Sequence, residues 1–466
     1  MGAVTLRAAD LRFLAPSPPR TAAILGGRTE EAEGFRAAGV EVVRAGATTE
    51  VDLVLGARRE LRKARALRPR AAIVLGWPAV GAPSQNRRYL VTRGLDGPAL
   101  AALEDGPVRR FLTGTWSTPT SHLGRARNRV VRHVGRGVAN VAVSAPGGAV
   151  PYPLSAAQRA LGLPLPTGWV LQFGRGDDLQ RVVALAFAAG PAPTWVLKFS
   201  RVPGAPARGE FEQRVLAELE ARAPAVAARA TRVLGRLEIG GSDATVEPAA
   251  AGANMSGYLR TAPARGRHVL ADQVICWAIE LTSATVSRAP SHRAGRRPLL
   301  EELVGVEPGL LARLDGAATV LAHNDLGTWN ILTDGRSFTI VDWESASIAG
   351  MPLWDVAYLA TDILCELHGP TADEERVRWC AALWREELAV SARLSGYLRR
   401  AARAAGVADG DLAPLVASCW LHHRSSQQRR RRQLGRSAAA GYLGCFGARW
   451  SQDPTLGNAW RGFGAP

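Results

Sequence analysis

The most informative stretch of the chain reads Val320-Leu-Ala-His-Asn-Asp-Leu-Gly-Thr-Trp-Asn-Ile-Leu332, then Asp334-Gly-Arg-Ser337, then Phe338-Thr-Ile-Val-Asp-Trp-Glu344. Two short apolar runs flank an Asp-Gly turn, a pattern that predicts a β-hairpin. If the loop is the four residues 334–337, Asn330 lies opposite Val341 and beside Asp342. The pattern therefore predicts that Asn330 and Asp342 come together at one end of a hairpin.

The chemistry of this hairpin end is predicted from its residue types. Neighbouring strands are about 4.8 Å apart, so the amide oxygen of Asn330 and the carboxylate of Asp342 can share one small ion. Oxygen ligands that leave room for phosphate and water suit Mg²⁺. Asp325, five residues before Asn330 on the preceding loop, can face the same point and accept a proton from an attacking hydroxyl. Singly these residues have ordinary structural roles, and the prediction depends on their combination.

The spacing His-x-Asp-x-x-x-x-Asn over residues 323–330, followed by Ile-Val-Asp-Trp-Glu, resembles the aminoglycoside phosphotransferase and choline kinase group. The resemblance covers roughly residues 155–445 and implies a bilobal protein-kinase-like fold. It implies that Asp325 is the catalytic base, that Asn330 and Asp342 are metal ligands, and that His323 braces the catalytic loop. In the segment 350–355, Asp355 matches a position that is usually structural in the group.

A kinase-like fold also needs nucleotide contacts in its first lobe, namely a strand lysine and a helix glutamate that orients it. Lys198 lies in the apolar run Trp-Val-Leu-Lys-Phe, where an unpaired ammonium is costly to bury. We predict that Glu212 pairs with it, with Glu218 as the alternative. Gly174 and Gly176 are the candidates for a turn over the nucleotide phosphates, although the same turn suits an ordinary hairpin.

Three regions follow from the distribution of apolar runs, helical patterns and turns. The pattern of residues 1–145 predicts a small α/β, Rossmann-like domain. In it, Gly26-Gly27 is a candidate phosphate-binding turn. Residues 154–250 predict an antiparallel β lobe for nucleotide binding, ending in a linker at 247–252 that we expect to lie near adenine. Residues 251–466 predict a mainly helical lobe with the acceptor pocket. The predicted fold class is therefore α+β, with the α/β domain preceding a kinase-like pair of lobes.

Composition limits the possible partners. The 466 residues carry 58 Lys and Arg against 41 Asp and Glu, a net charge of +17. Only Lys63 and Lys198 are lysines, so the charge reflects a general preference for arginine, and we expect no nucleic-acid partner. No apolar run reaches the 18 or more residues typical of a membrane span. Five widely spaced cysteines predict no disulfide framework, which is typical of the cytoplasm.

Two functions of different classes fit these observations. The first is an ATP- and Mg²⁺-dependent phosphotransferase that acts on a hydroxyl of a small molecule. The second is a non-catalytic nucleotide-binding module that serves the N-terminal domain or a partner. The acidic residues after the site are compatible with a pocket for a polycation or with a charged helix start; they are Asp362, Glu366, Asp373, Glu374 and Glu375. The acceptor, a preference for ATP over GTP and the oligomeric state are not predicted.

Overall fold

The fold is taken from a computed structural model of the chain. It describes residues 7–26, 28–44, 51–57, 60, 67, 69–75, 86–93, 98–102, 106–116, 126, 129, 142–146, 150–173, 181–202, 208–301, 303, 308–434, 441–453 and 455–456. The described residues form two compact units. Unit 1 is residues 1–210 with 232–249, and unit 2 is residues 211–231 with 250–466.

A single twelve-stranded sheet runs through unit 1 in the order β11-β12-β10-β9-β8-β6-β5-β7-β4-β3-β1-β2. Its strands are β1 (Thr21–Ile24), β2 (Glu41–Val43), β3 (Leu53–Ala57), β4 (Ala71–Leu75), β5 (Asn86–Arg93), β6 (Pro98–Ala102), β7 (Ala142–Pro146), β8 (Gly168–Gln172), β9 (Arg181–Phe187), β10 (Trp195–Ser200), β11 (Gly235–Ile239) and β12 (Ser242–Pro248). The division predicted from the sequence differs here, since β6 pairs with β8 across the expected boundary near residue 145.

The strands at the β2 end of the sheet are parallel, and those at the β11 end are antiparallel. β1 pairs in parallel with β2 and β3, and β3 with β4. Strands β3 and β4 are almost continuous apolar runs, as expected for parallel strands covered on both faces. From β4 onward each pairing is antiparallel, including β9 with β10 and β10 with β12. The predicted N-terminal strands and the predicted lobe strands thus belong to one sheet.

Short helices cover this sheet, and one of them precedes the first strand. A 3₁₀ helix spans Ala8–Leu14, and its residues from Ala9 onward are buried. The α-helices of unit 1 are α1 (Thr29–Ala37), α2 (Gly106–Phe111) and α3 (Tyr152–Leu161). Helix α3 ends at Gly162, which adopts the left-handed conformation that glycine tolerates at a helix C-terminus.

Unit 2 is mainly helical. Its helices are α4 (Arg208–Arg222), which begins in unit 1, α5 (Pro224–Ala227), α6 (Met255–Thr261), α7 (Ala264–Thr285), α8 (Pro290–Glu301), α9 (Pro308–Gly316), α10 (Trp354–His368), α11 (Asp373–Trp384), α12 (Ser391–Ala405), α13 (Asp409–Leu434) and α14 (Tyr442–Trp450). Nearly every residue of α10 is buried, so this helix forms the centre of the unit. None of the described helices combines the length and the apolarity needed to cross a bilayer.

Two small sheets lie among these helices. The first contains β13 (Ala253–Asn254), β15 (Ile331–Thr333) and β16 (Phe338–Ile340), and the second pairs β14 (Val320–Ala322) with β17 (Ser347–Gly350). β15 and β16 pair with Ile331 opposite Ile340 and Thr333 opposite Phe338. The loop is therefore residues 334–337, as predicted. The mixture of helix and sheet confirms the predicted α+β class.

Candidate active site

The hairpin brings Asn330 and Asp342 together at its open end. The Val341 N–H donates to the Asn330 carbonyl at 2.9 Å, so Asn330 lies opposite Val341, as the four-residue loop requires. Asn330 ends a 3₁₀ turn that spans Thr328–Asn330 and leads directly into β15. Asp342 follows Val341 and has a left-handed backbone with φ of 68°. A non-glycine residue in this conformation is strained, and such strain is common at functional sites.

Asp325 and Asn330 contact each other directly. The Asn330 side-chain Nδ2 donates to the Asp325 carbonyl at 2.9 Å and to the Asp325 Oδ2 at 3.1 Å. With its nitrogen engaged in this way, the amide presents Oδ1 as its ligating atom. The loop residue and the strand-end residue are thus joined by two hydrogen bonds, in agreement with the prediction that both face one point.

The electrostatics of this point suit a cation. Burial and the charge of Asp342 raise the pKa of Asp325 to about 8, with a smaller contribution from Glu344, while hydrogen bonds from Trp329 and Asn330 oppose the rise. A cation held by Asp342 would offset the repulsion and favour the ionised Asp325. Within the described residues no three His, Cys, Asp or Glu side chains form a metal cage. An amide and a carboxylate fit Mg²⁺, which retains several waters and binds through few protein groups.

Asp355 holds the start of the loop that carries Asp325. Its Oδ2 accepts the His323 N–H at 2.6 Å, and its Oδ1 accepts the Asn324 N–H at 2.8 Å. Burial raises the pKa of Asp355, although the neighbouring His323 and both hydrogen bonds oppose that rise. Asn324 has φ of 63°, and its side chain donates to the Ser345 carbonyl at 3.1 Å. One buried carboxylate therefore fixes two successive loop amides.

His323 links the loop to the hairpin. It is fully buried, and its Nε2 lies 3.1 Å from the Val341 carbonyl. Burial lowers the pKa of His323, so the imidazole is neutral and donates from Nε2. Val341 thereby contacts Asn330 through its N–H and His323 through its carbonyl. This position agrees with the bracing role that the resemblance implies for His323.

Two further residues, which the sequence did not assign to the site, hold this loop in place. The Asp362 Oδ2 accepts the Thr328 N–H at 2.7 Å, and the Asn254 side chain donates to the Trp329 carbonyl at 2.8 Å. Asn254 also caps α6 through the Ser256 N–H at 2.9 Å. Its position before a helix was readable in the sequence as a cap, but its second contact depends on a residue 75 positions away.

Two of the five acidic residues after the site are bound by other side chains or backbone groups. Asp362 is buried and also accepts the Tyr442 hydroxyl. Glu366 accepts a bidentate pair from Arg260 at 2.6 and 2.8 Å and a third hydrogen bond from Arg376 at 2.5 Å. Although burial opposes it, these contacts hold the pKa of Glu366 below its usual value. The remaining three acidic residues occupy the first turn of α11, where negative charge stabilises a helix.

In unit 1, Lys198 lies on β10 and forms an ion pair with Glu247 on β12, with Nζ 2.5 Å from Oε1. Both side chains are buried. The sequence placed Glu247 in a linker, whereas the structure places it within the sheet, two residues diagonal to Lys198 in the β10–β12 register. Cross-strand pairs of opposite charge are a common stabilising contact in sheets.

The two candidate glutamates on α4 differ in their surroundings. Glu212 is fully buried, and its Oε1 accepts the Trp343 N–H at 3.1 Å, beside Asp342. Glu218 is partly exposed and lies 3.7 Å from Arg222, one helical turn away. Burial agrees with Glu212 as the functional residue of the two. Its predicted pairing with Lys198 stays a prediction.

The structure bears on only one of the two glycine turns that were predicted as phosphate-binding turns. Gly174 and Gly176 lie outside the described residues. Gly26 follows β1 with φ of 84°, and the Glu60 carboxylate lies against it while accepting the Ala57 N–H at 2.7 Å. A carboxylate at this place repels a phosphate, so the structure disfavours a phosphate-binding role for this turn.

Comparison with known proteins identifies the region that carries the site. Residues 175–390 match the model of the phosphotransferase enzyme family. An aminoglycoside-3'-phosphotransferase of type VIII is 17% identical, with 58% of this chain and 98% of that chain covered and a TM-score of 0.35. A glucosamine kinase is 19% identical, with 64% and 95% covered and a TM-score of 0.29.

The aminoglycoside phosphotransferase APH(3'')-Id from Streptomyces rimosus, in complex with ADP and streptomycin, is 18% identical. It covers 53% of this chain and 92% of its own, with a TM-score of 0.30. None of the curated proteins compared with the chain matches its sequence. The matched region contains the whole loop and hairpin described above, so residues 175–390 are similar to the phosphotransferase family, in agreement with the predicted resemblance.

Proposed function

We propose that this protein is an ATP- and Mg²⁺-dependent phosphotransferase that moves the γ-phosphate to a hydroxyl of a small molecule. The observation that carries the proposal is the contact between Asp325 and Asn330 beside Asp342. The side chains that the reaction needs are intact, and each part of the loop is held by a buried hydrogen-bond partner. Positioning is the main contribution of an enzyme to phosphoryl transfer.

In the proposed reaction, Asp325 accepts the proton of the acceptor hydroxyl as its oxygen attacks the γ-phosphorus. The bond between that phosphorus and the β–γ bridging oxygen breaks, and ADP leaves. Asn330 orients the Asp325 carboxylate through its Nδ2. Asn330 Oδ1 and Asp342 would hold Mg²⁺, which offsets charge on the phosphates when bound. Lys198 is proposed to contact the α- and β-phosphates.

The partners of Asp362 and Glu366 bear on the charge of the acceptor. A pocket for a polycation needs carboxylates that are not already neutralised. Glu366 is bound by two arginines, and Asp362 is bound by a backbone N–H and a hydroxyl. We therefore propose an acceptor that carries a hydroxyl and little positive charge, such as a sugar or a natural-product alcohol. A cytoplasmic location remains part of this proposal.

The test is transfer of labelled γ-phosphate from ATP to a library of hydroxyl compounds, with and without Mg²⁺. We expect product only with Mg²⁺, and only with the wild-type protein and not with Asp325→Asn. ATP binding without transfer to any acceptor, and unchanged by Asp325→Asn, would favour the non-catalytic module. A matched control is Asp373→Asn, which removes one carboxylate from the exposed first turn of α11.

A further inference from the structure

A buried charged cluster joins the N-terminal 3₁₀ helix to the sheet of unit 1. We name it the N-terminal latch and define it as Asp10, Arg12 and Arg201. The Arg201 Nε lies 3.1 Å from the Asp10 Oδ1. The Arg12 guanidinium donates to the Arg201 carbonyl and, at 2.8 Å, to the Ala9 carbonyl. The latch is therefore a closed set of contacts between one short helix and the residue that follows β10.

The latch also reaches the strand that precedes the predicted phosphate turn. Arg201 donates from its second terminal nitrogen to the carbonyl of Phe173, which directly follows β8. The Phe13 ring packs against Phe173 and Phe199, with centroid distances of 6.5 and 4.9 Å. Residues 8–14 thus hold the ends of two strands of the antiparallel part of the sheet, including the end of β10.

Stability alone gives a poor explanation for this arrangement. The side chains of Asp10 and Arg201 are each 2% exposed, and the desolvation of such a pair commonly offsets its attraction. Burial raises the pKa of Asp10 against the opposing charges of Arg201 and Arg12. Replacement of a buried ion pair by apolar side chains of similar size is often neutral or stabilising. A buried ion pair does, however, fix the relative position of the groups it joins more narrowly than an apolar contact does.

The position that the latch fixes is close to Lys198. Lys198 lies on β10, three residues before Arg201. Its pairing with Glu247 requires β10 to keep its register with β12. β9 and β12 pair with β10 along its length, as far as Ser200 and Phe199 respectively, and the latch fixes Arg201 directly after that end. A shift of Arg201 is therefore passed to the end of β10 that carries the ammonium.

We propose that the N-terminal latch is a positioning device for nucleotide binding, with Asp10 and Arg201 as positioning residues that set Lys198. The inference rests on the proposed function, since it assigns Lys198 to the nucleotide phosphates. It gives residues 8–14 a role in the reaction, although the family region begins only at residue 175. The N-terminal segment is then part of the nucleotide-binding face rather than a separate module.

The test replaces the ion pair by an apolar pair, Asp10→Leu with Arg201→Met, in the full chain. We expect a modest fall in melting temperature, because the Phe173 carbonyl loses the Arg201 donor. We also expect a rise in the ADP dissociation constant by a factor of roughly 2 to 30, and a higher KM for ATP with little change in kcat. The single variant Asp10→Glu, which retains the pair, should keep most of the wild-type affinity. An unchanged dissociation constant in the folded double variant would overturn the proposal.

A matched control is Asp52→Asn in the same unit. Asp52 accepts the Arg20 N–H at 2.8 Å and the Thr21 N–H at 3.2 Å at the parallel end of the sheet. The Asp52→Asn substitution should change the melting temperature and leave the ADP affinity unaltered. Equal effects of the control and the latch variant on ADP affinity would also overturn the proposal.

A second readout separates this proposal from the proposed function. Hydrogen exchange of the β10 amides in the free protein should be faster in the apolar double variant than in the wild type. If the wild type binds no ADP, the proposed nucleotide function fails, and the exchange measurement still decides whether the latch orders β10. If β10 exchanges at the same rate in both proteins, the latch has no positioning effect and the inference is wrong.

Discussion

Two groups of acidic side chains in unit 2 have different surroundings. Asp325, Asp342 and Glu344 lie near enough for their charges to act on one another, and this repulsion contributes to the raised pKa of Asp325. Asp362 and Glu366, by contrast, are bound by hydroxyl, backbone and guanidinium donors. In the first group burial and the charges of Asp342 and Glu344 raise the pKa of Asp325. In the second group two arginines lower the pKa of Glu366 against the effect of burial, and burial and the charge of Glu366 in turn raise the pKa of Asp362.

The difference shows where the chain retains an unfavourable arrangement. Like charges held together cost stability unless a ligand offsets them. Such a cost is typical of a site that binds a cation or transfers a proton. Asp362 and Glu366 differ from the first group, because their hydrogen bonds hold neighbouring elements in place. The acidic residues that resemble one another in the sequence therefore divide into a candidate reactive group, Asp325, Asp342 and Glu344, and a structural group, Asp362 and Glu366.

The largest expected effect comes from Asp325→Asn. The variant keeps the size of the side chain and removes the proton acceptor, so turnover should fall by about 10²–10⁴-fold. The melting temperature should stay the same or rise, since the amide removes a carboxylate that Asp342 repels. Phosphate transfer and thermal unfolding, measured on the same preparation, check the fall in turnover and the unchanged or higher melting temperature. A loss of stability would place Asp325 in the structural group.

Asp342→Asn should act on metal-dependent binding. Removing this carboxylate takes away the charged member of the predicted metal pair, so ADP affinity should lose its dependence on Mg²⁺. Titration calorimetry with ADP, with Mg²⁺ and with EDTA, measures this directly. The control is Asp334→Asn, on the exposed hairpin loop, where the carboxylate accepts only local turn hydrogen bonds. Retained Mg²⁺ dependence in Asp342→Asn would contradict the assignment of this residue.

The geometry of the loop that carries Asp325, and of the hairpin that follows it, was the part of the candidate site that the sequence predicted best. Asn330 and Asp342 are brought together by a hairpin whose turn and strands are local in sequence. The partners that hold the loop were harder to predict, because Asp355, Asp362 and Asn254 act over 31 to 75 positions. Their contacts depend on the packing of α10 and α6, which no local pattern encodes.

The fold of unit 1 was predicted in part of its elements and not in its assembly. The N-terminal strands β1 to β4 were readable as apolar runs and the later hairpins were readable from their turns, whereas β5, β6 and β7 were not identified. Pairing of β6 with β8 joins the two groups into one sheet. Such a pairing depends on the alignment of strand edges some 70 residues apart, and the Pro- and Gly-rich segment between them is equally compatible with a linker. Periodicity identifies strands, and their neighbours are set by tertiary packing.

A smaller effect is expected from Asp362→Ala, in the structural group. This change leaves the Thr328 N–H and the Tyr442 hydroxyl without their acceptor in a buried place. Loss of a buried hydrogen-bond partner costs about 1–3 kcal/mol. Urea unfolding should show this loss, while the KM for ATP changes little. A large rise in KM at unchanged stability would instead move Asp362 into the reactive group.

The smallest expected effect, and the one that tests the acceptor class, comes from Arg260→Gln. Arg260 is partly exposed and binds Glu366 from the solvent side, whereas Arg376 binds it from within. Exposed ion pairs contribute about 0.2–1 kcal/mol, so unfolding should change only slightly. The released carboxylate edge should increase the affinity for a polyamine such as spermidine, measured by calorimetry against the wild type. If the wild type already binds spermidine as tightly as the variant, the structural group does not exclude polycations, and an aminoglycoside-like acceptor becomes the better proposal.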